Sequence, residues 1–216
     1  MVVSNHIDTF SSIAQVSRET IISLNKYEKL LVKANQTLNL IGKSTINQIW
    51  IRHFLDSFQV IDFINKNDRS LMDIGSGAGF PGLVLAIAAK DRKIPLRVKL
   101  IEKSPKKVKF LKEVVNEFKL NVVVLNHNAL DKEIKFTEDV FVVRAFKPLK
   151  IILELIHSKA QNWKRFFVFL GKTGRKELLD ASKSWDIKYK QRVSLTSSDS
   201  IIIEINNLIK KLVYFL

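Results

Sequence analysis

Four glycines crowd into a short segment that begins with an acidic residue, Asp73-Ile-Gly-Ser-Gly-Ala-Gly-Phe-Pro-Gly82. Glycine reaches positive φ without strain and lets a ligand approach the backbone. A helix that begins at such a loop also presents free backbone N–H groups. One turn rarely needs four glycines, so the sequence predicts a ligand-binding loop with contacts at Gly75, Gly77 and Gly79.

The spacing of these glycines separates the known kinds of nucleotide-binding loop. A dinucleotide-binding loop needs G-x-G-x-x-G, whose third glycine would fall at position 80. That position holds Phe80. A P-loop needs Lys followed by Ser or Thr after the glycines, and no such pair follows here. A nicotinamide oxidoreductase is therefore disfavoured.

A second acidic residue, Glu102, follows the apolar run Val98–Ile101. In a doubly wound sheet the carboxyl ends of neighbouring strands meet where ligands bind, so Glu102 can accept hydrogen bonds from both ribose hydroxyls of a nucleoside. The alternative is a surface glutamate paired with Lys103 or Lys106. Asp73, beside the glycines, can face a cationic group. A nucleoside that also carries an ammonium fits S-adenosylmethionine (SAM) better than NAD, which brings a pyrophosphate.

Arg144 ends another apolar run at the same predicted edge of the sheet. A guanidinium at that edge suits a phosphate, the carboxylate of SAM or O6 of guanine. The alternative is a structural ion pair with Asp56 or Glu102. Arg144 is the candidate catalytic residue.

Hydrophobic patterns predict the elements that must position these residues. From residue 70 onward, short apolar runs typical of buried strands alternate with amphipathic helical patterns. This alternation predicts an α/β fold with a doubly wound, mostly parallel sheet covered on both faces. The predicted strands are Leu71–Ile74, Val98–Ile101, Val122–Leu125, Val140–Val143 and Phe166–Leu170, and the predicted helices lie near 81–90, 105–118, 128–135, 148–160 and 171–184.

Two further β-rich runs, Tyr189–Leu195 and Ser200–Ile205, are separated by a polar turn. They predict a hairpin that closes one edge of the sheet, which makes the sheet seven-stranded. We expect a SAM-dependent domain over residues 66–216, preceded by a helical extension over residues 1–65.

The extension shows helical periodicity. A second helix is predicted to begin after Ser44 or Thr45, either of which can cap it, and to run to about Ile64. The first helix is predicted from apolar residues at steps of three and four, namely Leu24, Tyr27, Leu31, Ala34 and Leu38.

Composition bounds the function. The chain has 216 residues, a net charge of +15 and no cysteine. The absence of cysteine excludes disulfides, thiolate metal sites and a Cys nucleophile, and no metal site is expected. The charge suggests a nucleic-acid partner, although a Lys-rich composition bias is the alternative. No signal peptide is visible and the apolar runs are too short to span a bilayer, so we expect a cytoplasmic protein that does not enter membranes.

Several motifs occur in an order that resembles one family. The resemblance is to the bacterial 16S ribosomal RNA guanine-N7 methyltransferases, also called glucose-inhibited division protein B, and covers about Asn25 to Ile205. His-x-x-Asp-Ser together with Gly-Phe-Pro-Gly is more specific than the glycine loop alone. The motifs are Asn39-Leu40, Arg52-His-Phe-Leu-Asp-Ser57, Asp73–Gly82, Lys106-Lys107 with Phe110-Leu111, and Arg144-Ala-Phe146.

The resemblance implies a Rossmann-like class I methyltransferase that transfers a methyl group from SAM to N7 of one guanine in 16S rRNA. Its implied partner is 16S rRNA or the small ribosomal subunit, and we expect a monomer. The implied cofactor contacts are Gly75, Phe80, Ala129, Leu130 and Arg144. The candidate RNA contacts are Asn39, His53, Asp56, Ser57, Lys106, Lys107 and Lys172.

Some of these residues have a structural alternative. His53, Asp56 and Ser57 lie at i, i+3 and i+4 on a predicted helix, where they can shape the RNA pocket. The alternative is a half-buried histidine beside Trp50 whose hydrogen bonds are satisfied. Lys106 and Lys107 belong to a run of lysines that either follows the phosphates or forms a solvated helix face. The run consists of Lys103, Lys106, Lys107, Lys109 and Lys112.

The chain also departs from the family pattern. Asn128-Ala129-Leu130 stands where the family usually has Arg-x-Glu, so the adenine contact would rest on backbone groups or on Asp131. Leu170 stands where a lysine usually precedes the glycine matched by Gly171.

The absent residues also bear on the chemistry. N7 of guanine carries a free lone pair at neutral pH, so its methylation needs orientation rather than a general base. Methylation of an exocyclic amine commonly uses Asn/Asp-Pro-Pro-Tyr/Phe where this chain has Val143-Arg-Ala-Phe146. Two alternatives stay open: a SAM methyltransferase acting on another RNA or a small molecule, and a non-catalytic rRNA-binding assembly factor.

Overall fold

A twisted sheet of seven strands forms the centre of the molecule, and its strand order is β3-β2-β1-β4-β5-β7-β6. The computed structural model describes the backbone of residues 2–211 and the side chains of residues 6–211. Strands β1 to β5 run parallel, and β7 pairs antiparallel with β5 and with β6. The predicted fold class, strand count and edge hairpin are confirmed. The strands are β1 Ser70–Ile74, β2 Arg97–Glu102, β3 Val122–Asn126, β4 Val140–Arg144, β5 Arg165–Leu170, β6 Trp185–Ser194 and β7 Ser197–Lys210.

Helices cover both faces of this sheet. Two hydrophobic clusters result, one beneath the N-terminal helices with α4 and α5, the other beneath α6 and α7. Alternating residues of one strand serve the two clusters, as Leu71 and Met72 do. The helices are α1 Val2–Ala14, α2 Arg18–Leu38, α3 Asp56–Phe58, α4 Gly82–Asp91, α5 Pro105–Phe118, α6 Leu149–Lys159 and α7 Gly174–Ser182.

The predicted helix at 128–135 is wrong, because the segment folds as successive turns. The Asn128 side chain accepts a hydrogen bond from the Leu130 N–H, and the Asp131 N–H donates to the Asn128 carbonyl. Asn and Asp compete with helices through such local hydrogen bonds. Phe136 then bridges to Ala160 in extended conformation. Strand β3, predicted to be buried, is half-exposed because it lies at the edge of the sheet.

The second predicted helix is broken into short pieces. A 3₁₀ turn (Lys43–Gln48), a π-helix (Trp50–Leu55), α3 and a further 3₁₀ turn (Ile61–Phe63) replace one continuous helix. Its N-cap is Gly42, not Ser44 or Thr45, and the Thr45 hydroxyl instead donates to the Gly42 carbonyl. We call residues 43–63 the broken helical segment. Its π-helix carries Arg52 and His53, and π-helices are common at functional sites.

Helix α2 follows the predicted periodicity. Leu24, Tyr27 and Leu31 are buried, and Asn35 is buried beside them because its side chain accepts the Ile41 N–H. The N-terminal helices and the sheet share one hydrophobic cluster. Among the described residues, no helix combines the length and hydropathy needed to cross a membrane.

Candidate active site

The glycine loop joins β1 to α4 at the carboxyl edge of the sheet. The N–H groups of Gly75 and Ser76 both donate to the Ile101 carbonyl, which fixes the loop to the neighbouring strand. Gly75, Gly77 and Gly79 have φ of 74°, 57° and 98°, values that only glycine reaches without strain. The loop therefore needs glycine at each of these positions for its backbone alone.

The three glycines differ in what lies beside them. A Cβ at Gly75 would meet the Phe146 ring at 2.2 Å, and one at Gly79 would meet the Tyr27 hydroxyl at 2.6 Å. A Cβ at Gly77 would find only the Gly75 carbonyl oxygen, at 3.9 Å. Gly77 therefore borders open space, where a ligand can approach the backbone.

That open space is a cavity of about 450 Å³ above the sheet edge. It extends from the turns near Asn128, past the glycine loop, to the broken helical segment. The predicted cofactor residues that line it are Gly75, Gly77, Phe80, Glu102, Ala129 and Arg144. Asp73, Gly79 and Leu130 do not line it.

Glu102 lies beside the glycine loop, in a position from which it can accept hydrogen bonds from the ribose hydroxyls of a nucleoside. Its carboxylate is 8% exposed and accepts hydrogen bonds from the Gly77 N–H at 3.0 Å and the Ser104 N–H at 2.8 Å. It bonds to these backbone groups rather than to Lys103 or Lys106. A carboxylate offers about four lone-pair positions, so each oxygen retains capacity for a further donor on the cavity side.

Asp73 lies behind the loop rather than facing a ligand. It is fully buried, and its Oδ2 accepts the Gly82 N–H at 2.9 Å, where α4 begins. Burial raises the pKa of Asp73 to about 7, against the lowering effect of this hydrogen bond. The expectation of a cationic group beside Asp73 therefore gives way to a structural role at the start of α4.

The turns after β3 provide the far end of the cavity. Asn128 and Ala129 line it, together with His127. Leu130, predicted as a cofactor contact, is 41% exposed and lies outside the cavity because the segment turns instead of forming a helix. The Ala129 carbonyl accepts a hydrogen bond from Lys159 Nζ at 2.9 Å, which holds these turns against α6.

Arg144, His53 and Asp56 form one cluster at the opposite end. The Arg144 guanidinium donates to the Arg52 carbonyl at 2.7 Å and to His53 Nδ1 at 3.1 Å, and its Nε lies 3.3 Å from an Asp56 oxygen. The predicted alternative, an ion pair with Asp56, is therefore present. Arg144 also lines the cavity, and its Nη1 is buried without a hydrogen-bond partner in the part of the chain that the structure describes.

Hydrogen-bond direction settles the protonation of His53. Because Arg144 can only donate, His53 Nδ1 accepts, and the ring proton sits on Nε2, 2.9 Å from the Thr45 hydroxyl. Thr45 in turn donates to the Gly42 carbonyl. Burial, followed by the charges of Arg144 and Arg52, lowers the pKa of His53 to about 3. His53 is therefore neutral, with both ring nitrogens engaged.

Two of the predicted RNA contacts are inside the protein. Ser57 is fully buried, so its side chain offers no surface to an RNA. One oxygen of Asp56 accepts hydrogen bonds from Ser194 and Thr196, which ties the broken helical segment to the β6–β7 turn. The expected RNA role of these two residues is thereby reduced to holding the wall of the site.

Aromatic rings complete that wall. The Phe80 ring is stacked on His53, with ring centroids 4.9 Å apart and planes 12° apart, and it also contacts Tyr27. The Tyr27 hydroxyl donates to the Ala78 carbonyl of the glycine loop at 2.5 Å. Phe80 is thus already stacked within the protein, whereas Phe146 lines the cavity over Gly75.

The predicted lysines lie at different distances from the cavity. Lys103 and Lys107 of the predicted lysine run line it, as does Lys147, which the sequence analysis did not assign to the site. The other predicted RNA contacts, Lys106, Lys172 and Asn39, are exposed outside it, and Asn39 ends α2 with a φ of 47°. Tyr27 carries no site signal in the sequence, because long-range packing brings it to the loop. Lys147 directly follows the motif Arg144-Ala-Phe146 and could have been assigned to the site from that position.

A family model described as GidB, rRNA small subunit methyltransferase G, matches residues 20–205. The chain belongs to the GidB family. The family members it resembles include ribosomal RNA small subunit methyltransferase G of Pelagibacter ubique, 38% identical over 91% of this chain and 92% of that protein. The enzyme of the same name from Rickettsia felis is 34% identical over 91% of this chain and 98% of that protein.

Solved structures show the fold independently. A ribosomal protein L11 methylase from Lactobacillus delbrueckii superposes with a TM-score of 0.55 at 15% identity, covering 70% of this chain and 76% of that protein. TrmK of M. capricolum, solved with S-adenosylhomocysteine, gives 0.50 at 22% identity, covering 69% and 66%.

As a GidB family member, the chain is an rRNA small subunit methyltransferase, and its cofactor is SAM. The cavity fits this cofactor at two observed points. Gly77 leaves the space that a side chain would fill, and Glu102 presents a carboxylate with unused lone pairs beside it. The family assignment excludes the nicotinamide oxidoreductase and the non-catalytic assembly factor.

Proposed function

We propose that this methyltransferase acts on N7 of a guanine in 16S rRNA. The observation that supports this position is the state of His53, the buried imidazole at the end of the cavity. Its Nδ1 accepts from Arg144 and its Nε2 proton is directed to Thr45, so it has no free lone pair with which to take a proton. N7 of guanine has no proton to lose, whereas an exocyclic amine does.

The carboxylates of Glu102 and Asp56 are likewise engaged in hydrogen bonds and do not need to act as a base. Glu102 is bonded to two backbone amides at the ribose end of the cavity, and Asp56 is paired with Arg144 and two hydroxyls. A reaction at N7 asks these side chains only to hold the reactants in line at about 3–3.5 Å.

Each part of the cavity then has a distinct task. SAM, when bound, supplies an electrophilic methyl group on a sulfonium. Gly77 allows close approach of the backbone, Glu102 accepts the ribose hydroxyls, and Asn128 with Ala129 borders the adenine. Arg144, which ends β4 beside the broken helical segment, is the residue that contacts the reacting groups.

The RNA is held by charge at the mouth of the cavity. Lys103, Lys107 and Lys147 line the cavity, and the whole chain carries +15, which suits a phosphate backbone. The helical extension, residues 1–65, contributes one wall of the site and works with the catalytic domain, residues 66–216. The enzyme acts as a monomer in the cytoplasm on 16S rRNA or the small subunit.

Chemical cleavage tests the position of the methyl group. N7 methylation makes a guanine cationic and labile to borohydride reduction followed by aniline. Small-subunit RNA treated with enzyme and SAM should break at one guanine, and RNA treated without SAM should remain intact. Methyl incorporation without such a break, located by mass spectrometry on an exocyclic amine, would overturn the N7 assignment.

A further inference from the structure

A second cavity, of about 210 Å³, adjoins the cofactor cavity at the carboxyl ends of β4 and β5. The two cavities share Arg144 and Ala145 as a common wall. Its apolar walls are formed by Phe169, Leu170, Ile201 and Ile202, and its polar lining consists of Arg52, Asp56, Arg144, Ser194, Thr196 and Ser200. Apolar walls combined with polar groups that fix orientation are typical of a ligand pocket.

The two arginines of this cavity hold unused donors. Arg144 Nη1 is buried without a partner among the described residues. Arg52 uses one N–H, on the Thr196 carbonyl at 3.4 Å, and its other N–H groups have no hydrogen-bond partner among the described residues. Two guanidiniums thus offer several donors to whatever occupies the space.

The carboxylate of the cavity, in contrast, is occupied. One Asp56 oxygen accepts from Gln59, Ser194 and Thr196, and the other faces Arg144. A ligand that needs to donate hydrogen bonds to a carboxylate here would have to break this network. The cavity therefore suits a ligand edge that presents acceptors.

We propose that the second cavity receives the extruded target base and that Arg52 and Arg144 read O6 of guanine. The proposal rests on the proposed function, since it assumes a guanine that reacts at N7. Enzymes that act on a base commonly turn it into a pocket beside the reactive centre. The N7 lone pair must stay free for the methyl group, which leaves O6 as the acceptor for the guanidinium donors.

The same arrangement explains discrimination between purines. Adenine presents an amine where guanine presents O6, and this amine would face the Arg52 and Arg144 donors without an acceptor. Because Asp56 is engaged, the N1–H and 2-amino groups of guanine are not read by a carboxylate. The enzyme should therefore depend on O6 and tolerate loss of the 2-amino group.

Two base analogues separate these possibilities in small-subunit RNA that carries a single substitution at the target position. Inosine keeps O6 and N7 but lacks the 2-amino group, while 2-aminopurine keeps N7 and the 2-amino group but lacks O6. We expect inosine to be methylated within a fewfold of guanine. We expect 2-aminopurine to be methylated at least about tenfold more slowly, the loss of one charged hydrogen bond.

Variants of Arg52 tie this preference to the cavity. Arg52→Met should lower turnover of the guanine and inosine substrates by about tenfold, change that of 2-aminopurine little, and leave SAM affinity by calorimetry unchanged, because Arg52 does not line the cofactor cavity. Arg52→Lys, which keeps the charge but loses the planar fork, provides a second variant if the first is unstable. Arg97→Met is the matched control, since Arg97 is exposed at the amino end of β2, whereas both cavities lie at the carboxyl ends of the strands.

Every other pattern overturns the proposal. Equal rates for the two analogues, or a preference for 2-aminopurine, would show that O6 is not read. Failure of both would show that the 2-amino group is required, which contradicts the proposal as well. An Arg52→Met preference identical to that of the wild type would place the base elsewhere. If guanine itself is methylated away from N7, the proposed function fails first, and the cleavage assay detects that separately.

Discussion

The two walls of the cofactor cavity are built in opposite ways. The sheet-edge wall, formed by residues 73–82 and Glu102, consists of backbone turns and of hydrogen bonds between two adjacent strands. The helical wall is assembled by side chains from distant parts of the chain, such as His53 with Arg144 and Asp56 with Ser194. The first wall depends on local conformation, and the second depends on the completed tertiary structure.

A single substitution in the sheet-edge wall should abolish SAM binding completely. Gly77→Val should abolish detectable SAM binding, because a β-branched residue is strained at a φ of 57° and its side chain enters the cavity. The fold should survive, since no atom of the described structure lies within 3.9 Å of the new Cβ. Calorimetry with SAM measures the effect.

A matched glycine provides the control for this change. Gly171 has no positive φ, a Cβ added to it would meet nothing within 4 Å, and it does not line the cofactor cavity. Gly171→Val should therefore bind SAM normally. Unchanged SAM affinity in a folded Gly77→Val protein would show that the loop does not hold the cofactor.

Substitutions in the helical wall should reduce activity and stability only partly, and the largest effect is expected at Arg144. Arg144→Ala removes a residue that contacts both cavities and leaves Asp56 without its cationic partner. Turnover should fall on the order of 10- to 100-fold, and the free energy of unfolding should fall by about 2–3 kcal/mol. Steady-state kinetics and urea unfolding measure the two losses.

A second substitution, at Asp56, separates the loss of turnover from the loss of unfolding free energy. Adding Asp56→Asn to Arg144→Ala should recover part of the stability but none of the turnover. The substitution removes the unpaired buried charge, and an amide oxygen can still accept from Gln59, Ser194 and Thr196. Full activity in Arg144→Ala would remove this residue from the catalytic site.

The contrast between the walls also explains what the sequence could predict. Gly75, Gly77 and Glu102 follow from spacing and from the ends of apolar runs, because a glycine turn and a strand end are local properties. Tyr27 gave no signal, since only the folded chain brings it to the loop, whereas Lys147 directly follows the β4 motif and was missed. The family motif marked His53 and Asp56 as important, but the sequence did not show that they are buried.

Errors in secondary structure had the same origin. The parallel strands β1 to β5 were predicted closely because buried β-runs are distinctive, whereas the hairpin strands β6 and β7 extend well beyond the predicted runs. The predicted helix at 128–135 failed on the local competition of Asn128 and Asp131 for backbone groups. The broken helical segment satisfies helical periodicity on average. Its division into 3₁₀ and π turns depends on contacts that the periodicity does not contain.

The stability of the helical wall should depend on pH through His53. The pKa of His53 is lowered to about 3 in the folded protein, so below pH 6.5 the unfolded chain binds a proton that the folded chain excludes. The free energy of unfolding should therefore fall with falling pH by about 1.4 kcal/mol per unit, or about 2 kcal/mol between pH 6.5 and 5.

His53→Gln isolates this contribution. The difference in unfolding free energy between wild type and variant should shrink by that amount as the pH falls to 5. Asp73, whose pKa is raised to about 7, gives the opposite slope, with stability lost as the pH rises toward 7, and it cancels in the comparison. A difference that is constant with pH would mean that His53 is protonated in the folded protein.

One hydrogen bond joins the two walls, and its loss should have a smaller effect. Tyr27→Phe removes the donor to the Ala78 carbonyl, leaving a buried acceptor unpaired at a cost of about 1–2 kcal/mol in unfolding free energy. SAM affinity should fall only severalfold, because the sheet-edge hydrogen bonds of Gly75 and Ser76 remain. Tyr189→Phe, at a tyrosine that is 41% exposed, should change neither quantity.

The smallest effect is expected in the turns after β3, where the chain departs from the family pattern. Asn128→Arg places a donor on the cavity wall, and a charged hydrogen bond to a ligand contributes about 1.5–3 kcal/mol. The change also costs the turn hydrogen bond to the Leu130 N–H and up to about 2 kcal/mol of side-chain entropy. The net gain in SAM affinity should therefore stay below about tenfold.

Leu130→Glu alone should leave SAM affinity unchanged, because position 130 is exposed and outside the cavity. The double variant should then match Asn128→Arg in calorimetry. If Leu130→Glu alone tightens SAM binding by about tenfold, or 1.4 kcal/mol, the turns must rearrange to bring position 130 to the cofactor. The turns after β3 would then join the sheet-edge wall only after the cofactor has bound. Unlike the glycine loop and Glu102, this part of the wall would depend on the bound ligand and not on local conformation alone.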